Sequence, residues 1–150
     1  MRTETIIYAD IIGLFTHAMN HDDVESMLCL WDPEGEWEVM ATGEKFSGLD
    51  EIRQLVTRSV ATRNHRSGER LLPFNVFKNE EETKFCWEYV HKGVVTDKWP
   101  AALGNHTVGT KFDLPIALMC DISNGKIVKV REYFDLLTLT KAGHPLHLYS

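Results

Sequence analysis

The sequence predicts an α+β domain with helices gathered on one face of an antiparallel sheet. Three observations carry that prediction. Up to about Arg63 the apolar residues recur at three- and four-residue spacing, the helical period, interrupted only by one short hairpin. From about Leu71 onward they alternate with polar ones, the strand period. The chain has 150 residues and 43% of them are apolar, enough for one domain with a substantial core.

Ile7, Ile11, Leu14, Phe15, Ala18 and Met19 make one stripe of a helix over roughly Thr5 to Asn20, with Gly13 a mild weakness. Asn20-His21-Asp22 breaks it, and Asp22 or Asp23 caps a short second helix whose inner face is Val24, Met27, Leu28 and Trp31. Asp32-Pro33-Glu34-Gly35 reads as a turn. Glu36 to Met40 alternates as a half-buried strand, Thr42-Gly43-Glu44 turns, and Lys45-Phe46 returns. Asp50 opens a third helix with Ile52, Leu55, Val56, Ser59, Val60 and Arg63 on its buried stripe, and Asn64 to Glu69 is loop.

Four strands follow. The first is Leu71 to Phe77, where Pro73 suggests an edge, and Lys78 to Glu82 is a charged turn. The second is Thr83 to His91. Lys92 to Gly109 reads as a long connection. Lys111 to Asp121 and Lys126 to Asp135 form a hairpin across Ser123-Asn124-Gly125. Helices over the apolar face of such a sheet can enclose a cone-shaped hollow for a small ligand. The tail from Lys141 to Ser150 could fold back over its opening.

Composition narrows the function. Twenty-two acids against 16 bases give a net charge of −6, which disfavours a nucleic-acid surface. Arg58, Arg63, Arg66 and Arg70 read as a solvated loop edge. Cys29, Cys86 and Cys120 have no metal-like spacing and read as buried free thiols of a reducing compartment. With no leader-like run at the start and no apolar stretch near 20 residues, a cytoplasmic protein without membrane contact is expected. His106, His144 and His147 read as solvated loop or tail residues. No metal-ligand spacing, phosphate-cradling glycine loop or dinucleotide fingerprint is present, so no metal and no cofactor are expected.

One acid stands out. In the final strand Val128, Val130, Glu132 and Phe134 share the apolar face, while Lys129, Arg131, Tyr133 and Asp135 share the wet one. A carboxylate on a dry face must find partners or take a proton, and groups placed so are candidates for acid–base chemistry. A structural hydrogen bond from Trp37 or Tyr89 is the alternative account, and the acid–base reading is preferred to it. On the second of the four strands, one register turns Phe85, Trp87, Tyr89 and His91 inward; the other turns Cys86, Glu88 and Val90 inward.

The run from Gly109 to Asp135, above all Gly125-Lys126-Ile127 followed by Arg131-Glu132-Tyr133-Phe134-Asp135, resembles the nuclear transport factor 2-like superfamily. It is most similar to the SnoaL-like polyketide cyclases and limonene epoxide hydrolase. Ala18-Met19-Asn20, Asp22, Leu30-Trp31 and Gly48-Leu49-Asp50-Glu51-Ile52 are similar in kind and spacing, so the likeness spans nearly the whole of residues 1–150 as a single SnoaL-like domain. It implies a cone-shaped fold with three N-terminal helices over a curved antiparallel sheet. It also implies a catalytic acid at Glu132, where the relatives carry aspartate. Val90-His91-Lys92-Gly93 resembles the Thr-His-x-Gly run of the cyclases, which favours the first register and adds His91 and Tyr89 as catalytic candidates. Positions that carry proton-exchanging groups in ketosteroid isomerases hold Phe15, Val39 and Ala117 (or Ile116). Those of the hydrolase hold Trp37, Val39, Trp87 and Tyr89.

The expected function is therefore a cofactor-free acid–base enzyme for a small hydrophobic substrate: a cyclisation, isomerisation, dehydration or epoxide opening. A binding domain of the same shape is the alternative. The expected pocket lining is Phe15, Met19, Trp37, Leu55, Val56, Trp87, Leu114, Ile116 and Phe134. Analogy with the superfamily implies a homodimer through the outer sheet face, with Ile127, Lys129, Arg131 and Tyr133.

Overall fold

The computed structural model describes residues 10–61, 72–97, 99 and 106–136. Ile7, Arg63, Arg66, Arg70, His144, His147 and the tail expected to fold back lie outside them. The elements run α1 (Ile11–Asn20), α2 (Val24–Leu28), β1 (Trp31–Val39), β2 (Glu44–Ser47), α3 (Gly48–Ala61), β3 (Leu72–Lys78), β4 (Lys84–Val94), β5 (Lys111–Ser123) and β6 (Lys126–Phe134). The strands form one unclosed sheet in the order β2-β1-β6-β5-β4-β3. No helix among the described residues is long and apolar enough to cross a membrane.

The helices start where side-chain oxygens satisfy their free N–H groups. The Asp10 carboxylate accepts from the Gly13 amide at 2.6 Å, and that of Asp23 from Ser26 at 3.0 Å. On α1 the buried side chains are Ile12, Phe15, Ala18 and Met19, while Leu14 is exposed. The inner stripe is therefore centred on Phe15, with Ile12 in place of Leu14.

The sheet departs from expectation in four places. It is mixed rather than antiparallel: β1 runs parallel to β6, with Trp37 opposite Val130 and Val39 opposite Glu132. Alternation reports that a strand is half-buried, not which neighbour it pairs with. Second, Asp32 to Gly35 is not a turn but the irregular first half of β1, and Trp31 belongs to that strand rather than to α2. A Cβ on Gly35 would stand 2.7 Å from the Trp31 ring, so this glycine permits close packing. Third, β4 runs on through Lys92 and Gly93 to Val94, opposite Asp113, Phe112 and Lys111. Gly93 lies beneath the Phe112 ring, where a Cβ would stand 2.4 Å from the nearest ring atom.

Fourth, a bulge breaks β6. Asp121 pairs with Lys129 and Ile122 with Ile127, which leaves Val128 as the extra residue. Ile127 therefore turns inward and is fully buried, instead of lying on the outer face. On that face Lys129 faces Glu36 at 3.5 Å and Tyr133 is exposed. The hairpin turn forms as expected, with Asn124 and Gly125 both at positive φ.

Aromatic side chains fill the body of the domain. The Phe15 ring sits 5.7 Å from Trp37 and edge-on to Trp87 at 5.4 Å, and Trp31 stacks on Trp37 at 5.5 Å. Cys120 is buried, with its thiol pushed up to about 12 by desolvation, Cys86 is half-buried and Cys29 is exposed, against the expectation of three buried thiols.

Candidate active site

The pocket lies at one end of the sheet. There the last residues of β1, β4 and β6, the first residues of β2 and β5 and the second half of α3 converge. Its cavity volume is about 70 Å³, and it is partly open to solvent. The enclosed hollow expected from the sequence is, among the described residues, a half-open cleft.

Cross-strand rows build the sheet-side wall. His91 stands opposite Leu114, and Ile116 stands between Tyr89 and Phe134. Leu118 lies between Trp87 and Glu132, with Val39 on the far side of Glu132. The burial of Phe85, Trp87, Tyr89 and His91 shows which register β4 adopts. Glu132 lines the cleft within this apolar surround.

Its carboxylate has one hydrogen bond to a described residue, from the Trp37 indole Nε1–H to Oε2 at 2.8 Å. Trp37 pairs with Val130, two residues before Glu132 on the same face, so the parallel register makes that bond. Burial pushes the carboxyl up to about 7. The Trp37 bond and the charge of Arg58 oppose the rise, and the charge of Glu44 adds to it.

The same row ends in a polar group, because Glu44 stands opposite Val39 on its other side. Arg58 on α3 forks onto Glu44 of β2, Nη1 to Oε2 at 3.0 Å and Nη2 to Oε1 at 3.1 Å. The Thr42 hydroxyl donates to Glu44 Oε1 at 3.0 Å, and the guanidinium lies 5.5 Å from the centre of the Phe46 ring. The bond from Arg58 holds the Glu44 carboxyl below its usual range. Arg58, read from sequence as loop edge, is thus a pocket residue.

Of the residues expected at the site, Glu132, His91, Leu55, Leu114, Ile116 and Phe134 line the cleft. Tyr89, Phe15, Met19, Val56 and Trp87 are buried in the core and are not among the lining residues. Phe15, wedged between Trp37 and Trp87, fills the hollow these side chains were expected to border. Trp37 is buried and reaches the site through its N–H alone. Thr42, Glu44, Arg58, Trp99 and Phe112 also line the cleft, and the sequence reading did not place them there. The signal available for Arg58 was its spacing, three residues after Leu55 on one helix face. Among the described residues no three His, Cys, Asp or Glu side chains converge as a metal-binding group.

No protein-family model and no curated protein matches the chain. Solved structures do. A proposed polyketide cyclase from Pseudomonas putida superposes with a TM-score of 0.72 at 19% identity, over 88% of this chain and 94% of its own. A protein from Catenulispora acidiphila with a ketosteroid isomerase-like fold, crystallised with trimethylamine, gives 0.70 at 16% identity, over 90% and 92%. TerC, co-crystallised with polyporic acid, gives 0.67 at 15% identity, over 89% and 95%. The chain has the nuclear transport factor 2-like fold of these proteins.

Proposed function

We propose that this protein is an acid–base enzyme that uses its own side chains, without a cofactor, on a small hydrophobic substrate, with Glu132 as the general acid or base. The observation that carries this reading is the setting of Glu132. Its carboxyl lines an apolar cleft, accepts from one neutral donor, and is pushed up to about 7 by burial. Near neutral pH both protonation states are populated, so the same group can accept a proton and return it. Trp37 fixes one oxygen by holding Oε2, and Oε1 makes no hydrogen bond to a described residue. Leu114, Ile116 and Phe134 bind the substrate by burial. His91 borders the same cleft and is the second proton-transfer candidate.

The reaction classes this arrangement serves are cyclisation, isomerisation, dehydration and epoxide opening. The test incubates the protein in D₂O with small apolar ketones and epoxides, β-tetralone and limonene oxide among them, and follows them by NMR. Deuterium incorporation or ring opening is expected, and loss of both in Glu132→Gln with binding retained. Undiminished turnover in that variant would remove Glu132 from the mechanism. Recovery of every compound unchanged from the wild type would favour a binding domain instead, a reading that the small molecules crystallised with two structural neighbours also suit.

The exposed Met119 and Tyr133 lie close together on the outer sheet face and support a homodimer through it. Sedimentation equilibrium tests this, and a monomer at micromolar concentration would overturn it.

A further inference from the structure

Away from the cleft, the end of α1 carries two stacked imidazoles. His17 and His21 stand four residues apart on one side of the helix end, both are exposed, and neither lines the cleft. Their ring centres are 4.1 Å apart and the ring planes are inclined by 30°. His21 Nδ1 lies 2.8 Å from the His17 carbonyl oxygen. A carbonyl only accepts, so Nδ1 carries the proton, and the neutral ring keeps its lone pair on Nε2. Metal-binding histidines are held in this way, with the second ring nitrogen donating to a carbonyl or carboxylate.

The surroundings favour a cation. His21 is the C-cap of α1, where a helix presents its negative end. The Asp23 carboxyl lies below its usual range, chiefly through the two bonds from Ser26 and in smaller part through His17 and His21, so its charge is close to both rings. We propose that His17 and His21 together chelate a divalent transition-metal ion of the kind imidazole prefers, zinc or copper, at the surface end of α1. Zinc binds imidazole nitrogen at about 2.0–2.1 Å, so small turns about the Cβ–Cγ bonds bring a nitrogen of each ring to one ion. Two histidines four residues apart on a helix are a recurrent ligand pair, and this spacing is the exception to the expectation that the chain holds no metal. Among the described residues no third side chain converges with them, so water completes the coordination. The ion fastens the last turn of α1, the helix that wedges Phe15 between Trp37 and Trp87, and thereby stabilises the fold by mass action.

Zinc chloride titrated into the full chain near neutral pH tests the site, by calorimetry and by ¹⁵N NMR of the histidine rings. Wild type is expected to bind one ion at this pair with a Kd below about 100 μM and to melt at a higher temperature when loaded. The His21 Nε2 signal should move while Nδ1 keeps its proton. Copper(II) should bind more tightly than zinc, and magnesium should not bind. His17→Ala and His21→Ala should each weaken zinc binding at least about tenfold, because a chelate becomes a single ligand. His17→Gln and His21→Gln provide a second reading should an alanine variant fail to fold. Cys29→Ser, which changes the exposed thiol on the next helix, should leave binding as it is. Ring signals of His17 and His21 that do not respond to zinc overturn the proposal. So does an affinity unchanged by either histidine substitution, or zinc held only by Cys29 or by other histidines.

Discussion

Two glutamates flank Val39 in one cross-strand row of the cleft, and their surroundings treat them in opposite ways. On one side of Val39 Glu132 stands next to Leu118, with one neutral donor, and its carboxyl is pushed up to about 7. On the other side Glu44 has a guanidinium fork and a hydroxyl, and its carboxyl falls. The residue type is the same and the space is shared, so the difference comes from the neighbours. An apolar row penalises the charged form, and a fixed cation rewards it. Such a pair divides labour: one group exchanges protons near neutrality, and the other stays charged and holds Arg58 in place.

The largest expected effect tests the sheet-side glutamate through stability. A carboxyl that titrates at about 7 when folded and at 4.5 when free keeps its proton longer in the folded state. Stability therefore falls as pH rises from about 4.5 to 7 and is level above that. The separation of about 2.5 units corresponds to about 3 kcal/mol as an upper figure. Glu132→Gln should thus match wild type near pH 4 and exceed it by up to about 3 kcal/mol at pH 8 in urea titrations. A variant that is no more stable at pH 8 would show that the wall does not penalise the charge.

The next largest effect changes the shape of the same wall and none of its charges. Gly93→Ala would drive a methyl into the Phe112 ring, and Phe112 is part of the lining. A loss of about 2 kcal/mol is expected from overpacking, together with weaker ligand binding. An unchanged urea midpoint would mean that Phe112 moves aside freely.

Gly93 and Gly35 also show where the sequence was ambiguous. Each was read as loop, and each lies in a strand under an aromatic ring. A glycine marks either a turn or a close approach, and the sequence looks the same in both cases. Glu132 was legible because alternation over Val130, Glu132 and Phe134 survives on the C-terminal side of the bulge. Ile127 lies beyond that bulge, and there the parity inverts. The Glu44–Arg58 fork was not legible: it joins a strand to a helix, and only the packing angle between them brings the two together. Phe15 and Trp87 look identical from the sequence whether they border a cavity or fill one. Side-chain volume across three elements decides that, and periodicity does not report it.

A smaller effect follows from Trp37, the donor that holds Glu132. Trp37→Phe keeps a ring in the core but removes the N–H that favours the carboxylate. The midpoint of the Glu132 titration, followed by NMR of the labelled side chain, should rise by roughly one pH unit. A midpoint that stays in place would assign the wall's effect to burial alone and leave Trp37 a packing role.

The smallest effect comes from Glu44, on the other side of Val39, and its sign makes it informative. Glu44→Gln removes a negative neighbour of Glu132 and leaves Arg58 uncompensated, and both changes favour the Glu132 carboxylate. The midpoint of Glu132 should fall by roughly half a pH unit. Stability should move opposite to that of Glu132→Gln. The depressed Glu44 carboxyl contributes above its free value of 4.5, and that contribution is lost as pH falls through its folded value. In a Glu132→Gln background, where the Glu132 midpoint no longer contributes, adding Glu44→Gln should therefore cost at most about 1 kcal/mol at pH 8, since the pair is partly exposed, and nothing near pH 3. If both Gln substitutions shift stability in the same direction at pH 8, the two glutamates do not differ in the way their neighbours imply. Opposite signs would tie the contrast to Arg58, whose charge rewards the Glu44 carboxylate without overcoming the burial of the one at Glu132.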